Sequence, residues 1–380
     1  MKILMGLDYY LPNYSGLTLY AAALAEGLAA RGHAVSVLTH RHRPELPAES
    51  DERGVRVLRA PVGARIGKAL VSPSLLARAL SEVPRSDVLH LHAPLVAAVP
   101  LAFIASTVRV PVVVTYHCDL QPPPSLGRGF VEVVARASQQ FALERASRIV
   151  TNTEDYARNT QPLADRIEKV SWILPLVDDP TAPASPPDEV RRRFGIGPGP
   201  VVFFLGRFAE EKGIPVLVEA FADVRRRHPT ATLVLGGTRD VAGESVLRRI
   251  TPVLDDPASG VVATGTVSAP TRADLFAIAD VLVLPSINST ESFGLVQVEG
   301  MLAGVPAVAS DLPGVREPVR LTGMGEIARA GDAADLARKI LAVLDAPARY
   351  RRPPAEVRAR FSRERTLSAY EDVYRSAAAE

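Results

Sequence analysis

The chain has 380 residues, of which 47% are apolar and 23% are charged, and its formal net charge is +2. This length is too great for one ordinary core and predicts two domains of about 150 to 190 residues each. The near balance of charge argues against bulk binding of nucleic acid. Cys118 is the single cysteine, so no internal disulfide can form.

The sequence predicts no membrane-spanning segment. The longest weakly polar run, 94–106, is 13 residues long and contains two prolines, whereas a spanning helix needs roughly 20 apolar residues. Residues 2–5 run directly into a predicted strand without a charged-then-apolar leader. We therefore expect a cytoplasmic protein, with any membrane contact peripheral.

The first part of the chain alternates apolar strands with helical segments. Strands are predicted at 2–10, 33–40, 55–62, 87–94, 110–117, 148–155 and 168–177, and helices at 17–30 and 127–146. Segments 87–94 and 110–117 are apolar on both faces, as in parallel strands that helices cover on either side. These features predict a parallel, Rossmann-like α/β domain over residues 1–178.

A proline-rich stretch separates this domain from a second one. Five prolines occur within thirteen residues, from 175 to 187, and we place the interdomain linker at 179–199. The second series has predicted strands at 200–208, 230–237, 260–267, 279–286 and 306–312, and helices at 214–228, 244–254, 271–278, from 293 onward, 333–344 and 363–379. A second doubly wound domain is thus predicted over 200–362, with helix 363–380 packing back on the first. Because ligands bind at the carboxyl ends of such strands, we expect the two domains to face each other across a cleft.

The stretch 285–317, PSINSTESFGLVQVEGMLAGVPAVASDLPGVRE, is the most informative in the chain. An apolar strand ends there in a polar loop, and the small-residue turn SFGL precedes a predicted helix that begins at about Phe293 or Gly294. The unpaired backbone N–H groups of a helix start suit an anion. Glu291 lies before this turn and Glu299 within the helix.

Three interpretations of Glu291 and Glu299 remain open on spacing alone. They can be the acid and nucleophile of a glycosidase, whose carboxyls lie roughly 5 to 10 Å apart. In a mostly helical segment, however, eight residues rise about 12 Å. The two carboxylates can therefore bind the hydroxyls of a sugar and a ribose at the two ends of a nucleotide sugar. The third interpretation is a loop glutamate plus a solvated helix glutamate.

The segment GRFAEEKGI, residues 206–214, supplies two cations at another strand end. Arg207 follows the strand, and Lys212 precedes a predicted helix that Gly213 leads. An Arg-Lys pair of this kind is usually a solvated surface feature. Beside a helix start, however, it is typical of a site for a dianion or diphosphate, where it would hold leaving-group charge.

His117 closes the apolar strand VVVTYH, where it can donate a hydrogen bond to a substrate or serve a structural role. Cys118 faces the opposite side of the strand, so His117 is badly placed to activate it as a nucleophile. His90 and His92 share a face, but we expect no metal site because no further cluster completes a coordination sphere. Gly16 would let the first turn approach a phosphate closely, although that turn lacks GxGxxG.

Taken together, these motifs resemble those of a known enzyme family. The chain resembles the retaining glycosyltransferases of the GT-B type, and specifically glycosyltransferase family four, or glycosyl transferases group 1. The resemblance covers essentially the whole chain. Its most specific element is E-x7-E in ESFGLVQVE, and GRFAEEKG, YHCD, PNYSG and VLHLHAP support it.

The resemblance implies a role for each matching residue. Arg207 and Lys212 are similar to the cations that hold the donor diphosphate, Glu291 to the glutamate on the transferred sugar, and Glu299 to the one on the nucleotide ribose. His117 is similar to the first-domain histidine near the reacting sugar. The backbone of Ser292, Phe293, Gly294 and Leu295 is similar to the backbone that surrounds the sugar and phosphates in this family. Gly16 is similar to the glycine of the first-domain loop that faces the diphosphate. The family usually has two glycines where Ser15 and Gly16 stand in this chain.

The resemblance also implies a reaction and its donor. A nucleotide-diphosphate sugar would pass its hexose to an acceptor hydroxyl with retention, without metal or cofactor, through a front-face mechanism in which the leaving phosphate takes the acceptor's proton. Two alternatives stay open, a sugar-nucleotide 2-epimerase and a non-catalytic sugar-nucleotide-binding protein. The acceptor can be a cell-envelope glycan, a glycolipid or a small metabolite.

One stretch bears on the acceptor. Residues 65–71, RIGKALV, combine basic and apolar side chains and lead to SPSLLARAL. This composition can touch an anionic membrane surface. The alternative is an active-site loop followed by an ordinary core helix.

Overall fold

Parallel strands with covering helices make up both halves of the protein. The computed structural model describes residues 1–13, 15–66, 69–119, 129–237 and 244–379. The chain divides into two units, one of Met1–Leu176 with Arg363–Glu380 and one of Val177–Ser362.

The first unit begins with the predicted strand, turn and helix. Its elements are β1 Lys2–Gly6, α1 Gly16–Ala30, β2 Ala34–Arg41, β3 Glu49–Glu52, β4 Val55–Pro61, β5 Ala64–Ile66, β6 Ala69–Val71, α2 Pro73–Glu82, β7 Val88–Ala93, α3 Ala98–Thr107, β8 Val112–Tyr116, α4 Gly129–Arg145, β9 Arg148–Thr151, α5 Glu154–Asn159, α6 Gln161–Ala164 and β10 Val170–Trp172. Residues 127 and 128 of the predicted helix 127–146 lie outside the described residues.

The main sheet of the first unit has the strand order β10-β9-β8-β7-β1-β2-β4-β3. All neighbouring pairs are parallel except β3 with β4, which is antiparallel. The parallel sheet is confirmed, but the sequence did not predict β3, whose residues ESDE lack the apolar pattern of a buried strand. The stretch 65–71 also differs from expectation, because β5 and β6 pair as an antiparallel hairpin there.

The second unit repeats the architecture. Its elements are α7 Pro187–Phe194, β11 Val201–Leu205, α8 Ile214–Arg227, β12 Thr232–Gly236, α9 Glu244–Leu254, β13 Val261–Gly265, α10 Ala269–Ile278, β14 Val281–Leu284, α11 Leu295–Leu302, β15 Ala307–Ser310, α12 Glu317–Thr322, β16 Gly325–Ala328, α13 Ala333–Asp345, α14 Pro347–Tyr350 and α15 Pro354–Arg360. The parallel sheet order is β13-β12-β11-β14-β15-β16.

Helix α7 lies inside the stretch 179–199 that the sequence predicts as a linker. It begins at Pro187, the last of the five clustered prolines, because proline fits the first turn of a helix. Upstream of α7, the backbone N–H groups of Ala184 and Ser185 donate to Oδ1 of Asp274 on α10, at 2.7 and 3.0 Å. This part of the stretch is therefore fastened to the second unit.

The last helix, α16 (Arg363–Ala378), returns to the first unit. Tyr370 and Tyr374 are fully buried there, among the apolar side chains of α1, β1 and β2. Within the described ranges, no helix has both the length and the apolar character to cross a membrane.

Each sheet reverses its strand order at its centre. In the first sheet the chain proceeds outward from β1 through β2 and then returns to β7 on the other side, so the reversal lies between β1 and β7. In the second sheet it lies between β11 and β14. Ligands of doubly wound sheets bind at the carboxyl ends of strands beside such a reversal, so these two places are where a site is expected.

Candidate active site

The loops that follow β11 and β14 bring Lys212 and Glu291 into direct contact. Nζ of Lys212 donates to Oε2 of Glu291, and each side chain is less than one-fifth exposed. The loops are joined by a hydrogen bond from the backbone N–H of Ile287 to the carbonyl oxygen of Glu211, 3.0 Å long. Since β11 pairs with β14, residues 79 positions apart form one charged pair at the switch point of the second sheet.

Gly213 makes this close approach possible. Its φ is +64°, and a Cβ built on it would lie 2.0 Å from the carbonyl oxygen of Pro285. Only glycine combines that backbone conformation with such proximity to another chain segment. The glycine thus sets the distance between the loop that carries Lys212 and the loop that leads to Glu291.

Arg207 does not share the partner of Lys212. Its Nη2 donates to Oε1 of Glu211 at 2.9 Å, and the arginine side chain is 46% exposed. Both cations follow β11, at the strand end where the sequence analysis expected them. In the structure, Arg207 forms its ion pair with Glu211.

The helix start predicted near Phe293 or Gly294 is α11, whose N-cap is Gly294 with φ +79°. Phe293 is buried and packs edge-on against Phe361, with ring centroids 6.1 Å apart. Ser292 and Gly294 are buried, and Leu295 is half-buried. The Phe293 side chain therefore belongs to the core, which leaves backbone as the part of this residue that can meet a ligand.

Glu299 is paired within the second unit. Nη1 of Arg272, near the start of α10, lies 3.1 Å from Oε2 and 3.3 Å from Oε1 of Glu299. Burial raises the pKa of Glu299, Arg272 lowers it, and the nearby Asp178 raises it further. Arg272 thus favours the ionised carboxylate, the form that accepts hydrogen bonds from two hydroxyls.

His117 contacts a second histidine on the first unit. Its Nε2 lies 3.0 Å from Nδ1 of His92, and the two rings are stacked with centroids 5.3 Å apart. Burial lowers the pKa of His117 to about 3 and holds that of His92 well below its usual range, so both rings are neutral. Nε2 of His92 is buried without a hydrogen-bond partner among the described residues. An unpaired lone pair costs less than an unpaired N–H, so we place the proton of His92 on Nδ1 and that of His117 on Nδ1.

His90 continues this polar row into α16. Its Nδ1 lies 2.9 Å from the hydroxyl of Tyr374, and its Nε2 lies 2.7 Å from Oγ1 of Thr115. The Thr115 hydroxyl contacts that of Tyr370, which in turn lies 2.6 Å from the hydroxyl of Tyr20. The three strand histidines thus form hydrogen bonds within the protein. In the described part of the chain, no cluster of histidine, cysteine and carboxylate side chains has the arrangement of a metal site.

Gly16 is the first residue of α1, and Ser15 explains the departure from two glycines. The Ser15 side chain caps the helix by accepting the backbone N–H of Thr18, while Oγ1 of Thr18 accepts the backbone N–H of Ser15 at 2.9 Å. Gly16 is exposed, and among the described residues outside its own chain neighbours no atom lies within 4 Å of the place where its Cβ would be. Ser15 therefore stabilises the start of α1, and Gly16 leaves room for a ligand to approach the backbone there.

Asp8, which the sequence analysis did not single out, follows β1 at the switch point of the first sheet. Its carboxylate accepts the backbone N–H of Val96, beyond β7, and its Oδ1 lies 3.7 Å from Nδ1 of His40 on β2. Burial raises its pKa from 3.8 to about 7, against the opposing effect of the Val96 hydrogen bond. Its position directly after an apolar strand was the signal that could have found it. Arg272, the other missed residue, lies in the predicted helix 271–278, where nothing in the local sequence points to its partner Glu299.

Two family models match the chain. The model described as "Glycosyl transferase 4-like domain" matches residues 15–170, and the model described as "Glycosyl transferases group 1" matches residues 199–346. The chain is 31% identical over 326 residues to a 2-deoxystreptamine glucosyltransferase of Streptomyces kanamyceticus, covering 80% of this chain and 83% of that protein. It is 30% identical over 400 residues to a D-inositol 3-phosphate glycosyltransferase of Nocardiopsis dassonvillei, and the match covers 96% of this chain and 90% of that protein.

Solved structures share the fold over the whole chain. A sucrose-phosphate synthase from Thermosynechococcus elongatus has a TM-score of 0.76 at 21% identity and full coverage of both chains. Anabaena HepE in complex with UDP-glucose has a TM-score of 0.75 at 20% identity, also with full coverage. The predicted fold of two Rossmann-like domains, GT-B, is thereby confirmed.

Proposed function

We propose, since the chain belongs to the glycosyl transferases group 1 family and is a glycosyltransferase, that it moves a hexose from a nucleotide-diphosphate sugar to an acceptor hydroxyl with retention at the anomeric carbon. The observation that carries this proposal is the contact between Lys212 and Glu291 at the switch point of the second sheet. A cation and a carboxylate side by side suit the two parts of one donor, its phosphate and its sugar hydroxyls.

The donor is proposed to bind the second unit at its switch point. Lys212 and Arg207 hold the diphosphate, Glu291 holds the transferred sugar, and the backbone of 292–295 lines the sugar and phosphates. Glu299, which pairs with Arg272, accepts hydrogen bonds from the ribose hydroxyls. HepE, which shares the fold, was solved with UDP-glucose, and this supports a nucleotide-sugar donor.

The first unit is proposed to bind the acceptor, with residues 179–199 as the linker to the donor-binding unit. His117 contributes its Nδ1–H to the transferred sugar, and the open backbone at Gly16 lies against the diphosphate. Relatives named for 2-deoxystreptamine and for inositol 3-phosphate support a cyclitol or a related small polyol as the acceptor class. Most side chains of 65–71, the stretch whose composition can touch a membrane, lie outside the described residues.

The mechanism we propose needs no protein nucleophile. The Glu291 carboxylate is engaged by Lys212 and suits binding rather than attack. The acceptor hydroxyl attacks the anomeric carbon on the face from which the phosphate leaves, and the phosphate oxygen takes the hydroxyl proton. Lys212 and Arg207 then stabilise the charge that develops on the diphosphate, the kind of contribution that is worth about 100- to 1000-fold in rate for one donor.

The first experiment identifies the donor and tests its binding residues. In a thermal-shift screen of nucleotide-diphosphate sugars, we expect the compounds with one particular nucleobase to raise the melting temperature of the protein, because ligand binding raises stability by mass action. With that donor, Lys212→Ala and Glu291→Gln should each lose about 100-fold or more in kcat/KM. Arg249→Ala is the matched control, since Arg249 forms an ion pair with Glu210 beside the same loop.

Two outcomes would contradict the proposal. Unchanged turnover in Lys212→Ala and Glu291→Gln would remove these residues from the site. An inverted anomeric configuration in the product, measured by NMR, would exclude retention. Incubation with nucleotide sugar alone separates transfer from 2-epimerisation, because an epimerase releases a new sugar nucleotide without any acceptor.

A further inference from the structure

We propose that Asp8 selects the acceptor and that its carboxylate binds an ammonium group of an amino-bearing cyclitol or sugar. This inference rests on the proposed function, because it concerns the acceptor of the same transfer. It follows from the place of Asp8 in the sheet, from the way its side chain is held, and from the hydrogen bond that one carboxylate oxygen lacks.

Asp8 lies where a doubly wound sheet binds ligands. It follows the carboxyl end of β1, and its carboxylate accepts the backbone N–H of Val96 in the segment after β7. These two strands are neighbours on either side of the reversal in strand order. The carboxylate thus spans the crevice of the first unit at its switch point.

The structure holds Asp8 in place from two sides. Its carbonyl oxygen accepts hydrogen bonds from Oγ1 of Thr39 and Nδ1 of His40, each 3.2 Å long, at the end of β2. Its side chain is attached to Val96 on the other side, and 15% of that side chain remains exposed. A recognition group needs this combination of fixed geometry and access.

The carboxylate is incompletely satisfied by the protein. Among the residues that the structure describes, Oδ1 of Asp8 is buried and has no hydrogen-bond partner. Buried polar atoms in native proteins nearly always have one. The protein therefore leaves the charge of this carboxylate uncompensated, and a cationic ligand at the exposed part of the side chain would compensate it.

The surroundings favour a cationic donor over an anionic acceptor. Burial lowers the pKa of His40, so the ring beside Oδ1 is neutral near pH 7. Arg59, on the strand next to β2, is held by Glu52, Ser50 and the carbonyl oxygen of Leu11. An ammonium group would both neutralise the charge of the Asp8 carboxylate and donate a hydrogen bond to it. A phosphate would instead be repelled by the like charge.

The test compares acceptor probes that differ in an amine. Binding of 2-deoxystreptamine against myo-inositol, and of glucosamine against glucose, is measured by calorimetry at pH 8 with the nucleotide diphosphate of the donor present. We expect the amine of each pair to bind about 10- to 100-fold more tightly, as for hydrogen bonds between charged groups. Asp8→Asn should abolish this preference.

Asp87→Asn is the matched control. Asp87 precedes β7 at the opposite edge of the same sheet, where its Oδ2 accepts the backbone N–H of Lys2 at 2.7 Å. Asparagine keeps an acceptor oxygen there and removes the same charge. This variant should retain the full preference for amines.

The inference is overturned if wild-type protein binds the amines no better than their hydroxyl partners, including the case in which neither binds. It is also overturned if Asp8→Asn keeps the preference. The wild-type comparison needs no variant, so it stands even where Asp8→Asn folds poorly. Failure of the proposed function can be distinguished from failure of this inference about Asp8. In the first case no nucleotide sugar would be bound or turned over with any acceptor.

Discussion

Asp8 imposes a cost on the folded protein that depends on pH. Its pKa is about 7 in the fold against 3.8 as an unperturbed side chain, because burial disfavours the charged form. Below pH 4 the group is protonated in both states and costs nothing. Between pH 4 and 7 the unfolded chain releases this proton while the folded chain keeps it, so the folded state loses stability, on the order of 4 kcal/mol in all.

The Asp8→Asn variant should therefore be more stable than wild type at pH 8. The difference in melting temperature should be small at pH 4.5 and should grow as the pH rises to 7, since asparagine has no charge to bury. Thermal unfolding at a series of pH values measures this difference. A gap that stays constant with pH, or one that Asp87→Asn reproduces, would argue that Asp8 is not a costly buried charge.

Single residues were predictable from sequence where a short motif carries them. The motifs singled out Lys212 and Glu291 separately, and in the structure these two side chains are in contact. The sequence shows Asp8 at the end of an apolar strand, but it does not show the burial of its carboxyl or the contact with Val96, 88 positions away. Arg272 was missed for the same reason, since its partner Glu299 lies on a different helix.

Gly213, Gly294 and Gly16 differ in the atoms that an added Cβ would contact. Alanine substitutions at these positions therefore distinguish a loss of stability from a loss of activity. A Cβ on Gly213 would lie 2.0 Å from the carbonyl oxygen of Pro285, and one on Gly294 would lie 2.2 Å from a methyl carbon of Leu284. Both residues also have positive φ. Gly16 has neither constraint, since no atom of the non-adjacent residues that the structure describes lies within 4 Å of its Cβ position.

We expect Gly213→Ala and Gly294→Ala to lower the melting temperature and weaken nucleotide binding together, because the clash displaces the loops that carry Lys212 and Glu291. Gly16→Ala should leave the melting temperature unchanged and reduce kcat/KM, because the added methyl group crowds the proposed diphosphate. Thermal unfolding and steady-state kinetics on the three variants test this. Full activity in Gly16→Ala would contradict the proposed role of that loop.

At the scale of elements, the sequence predicted best those that are buried on both faces. Strands such as β11 and β14 consist of continuous apolar runs. Strand β3, at a sheet edge, and strands β5 and β6, which form a separate two-stranded sheet, were missed. Such strands are stabilised by backbone hydrogen bonds more than by burial and leave little hydrophobic pattern. The start of α11 was predicted to within two residues because glycine marks it.

The whole molecule depends on a helix that is remote in sequence from the unit it completes. Tyr370 and Tyr374 on α16 are buried in the first unit, and Glu371 pairs there with Arg31 at 2.9 Å. Truncating one large buried side chain typically costs about 3 to 5 kcal/mol, which is comparable to the lower end of whole-domain stability. Removing α16 is therefore expected to unfold the first unit.

A milder change tests the same dependence. Tyr374→Phe removes the hydroxyl that contacts Nδ1 of His90 and leaves a buried ring nitrogen unpaired, so hydrogen exchange should accelerate in peptides from 1–176. Tyr350→Phe is the counterpart in the second unit, where that hydroxyl donates to Glu326 at 2.7 Å. Its effect should be confined to peptides from 177–362. Equal acceleration throughout the chain in either variant would contradict this assignment.

Strand β3 has a consequence for the protein in solution. It forms the outer edge of the first sheet beside β4, and its residues Glu49–Glu52 bring three carboxylates in the sequence ESDE to a row of backbone groups that would otherwise be open to pairing. A second sheet that approached this edge would have to desolvate those charges. The strand that carries no hydrophobic signal is thus the one that discourages aggregation through this edge.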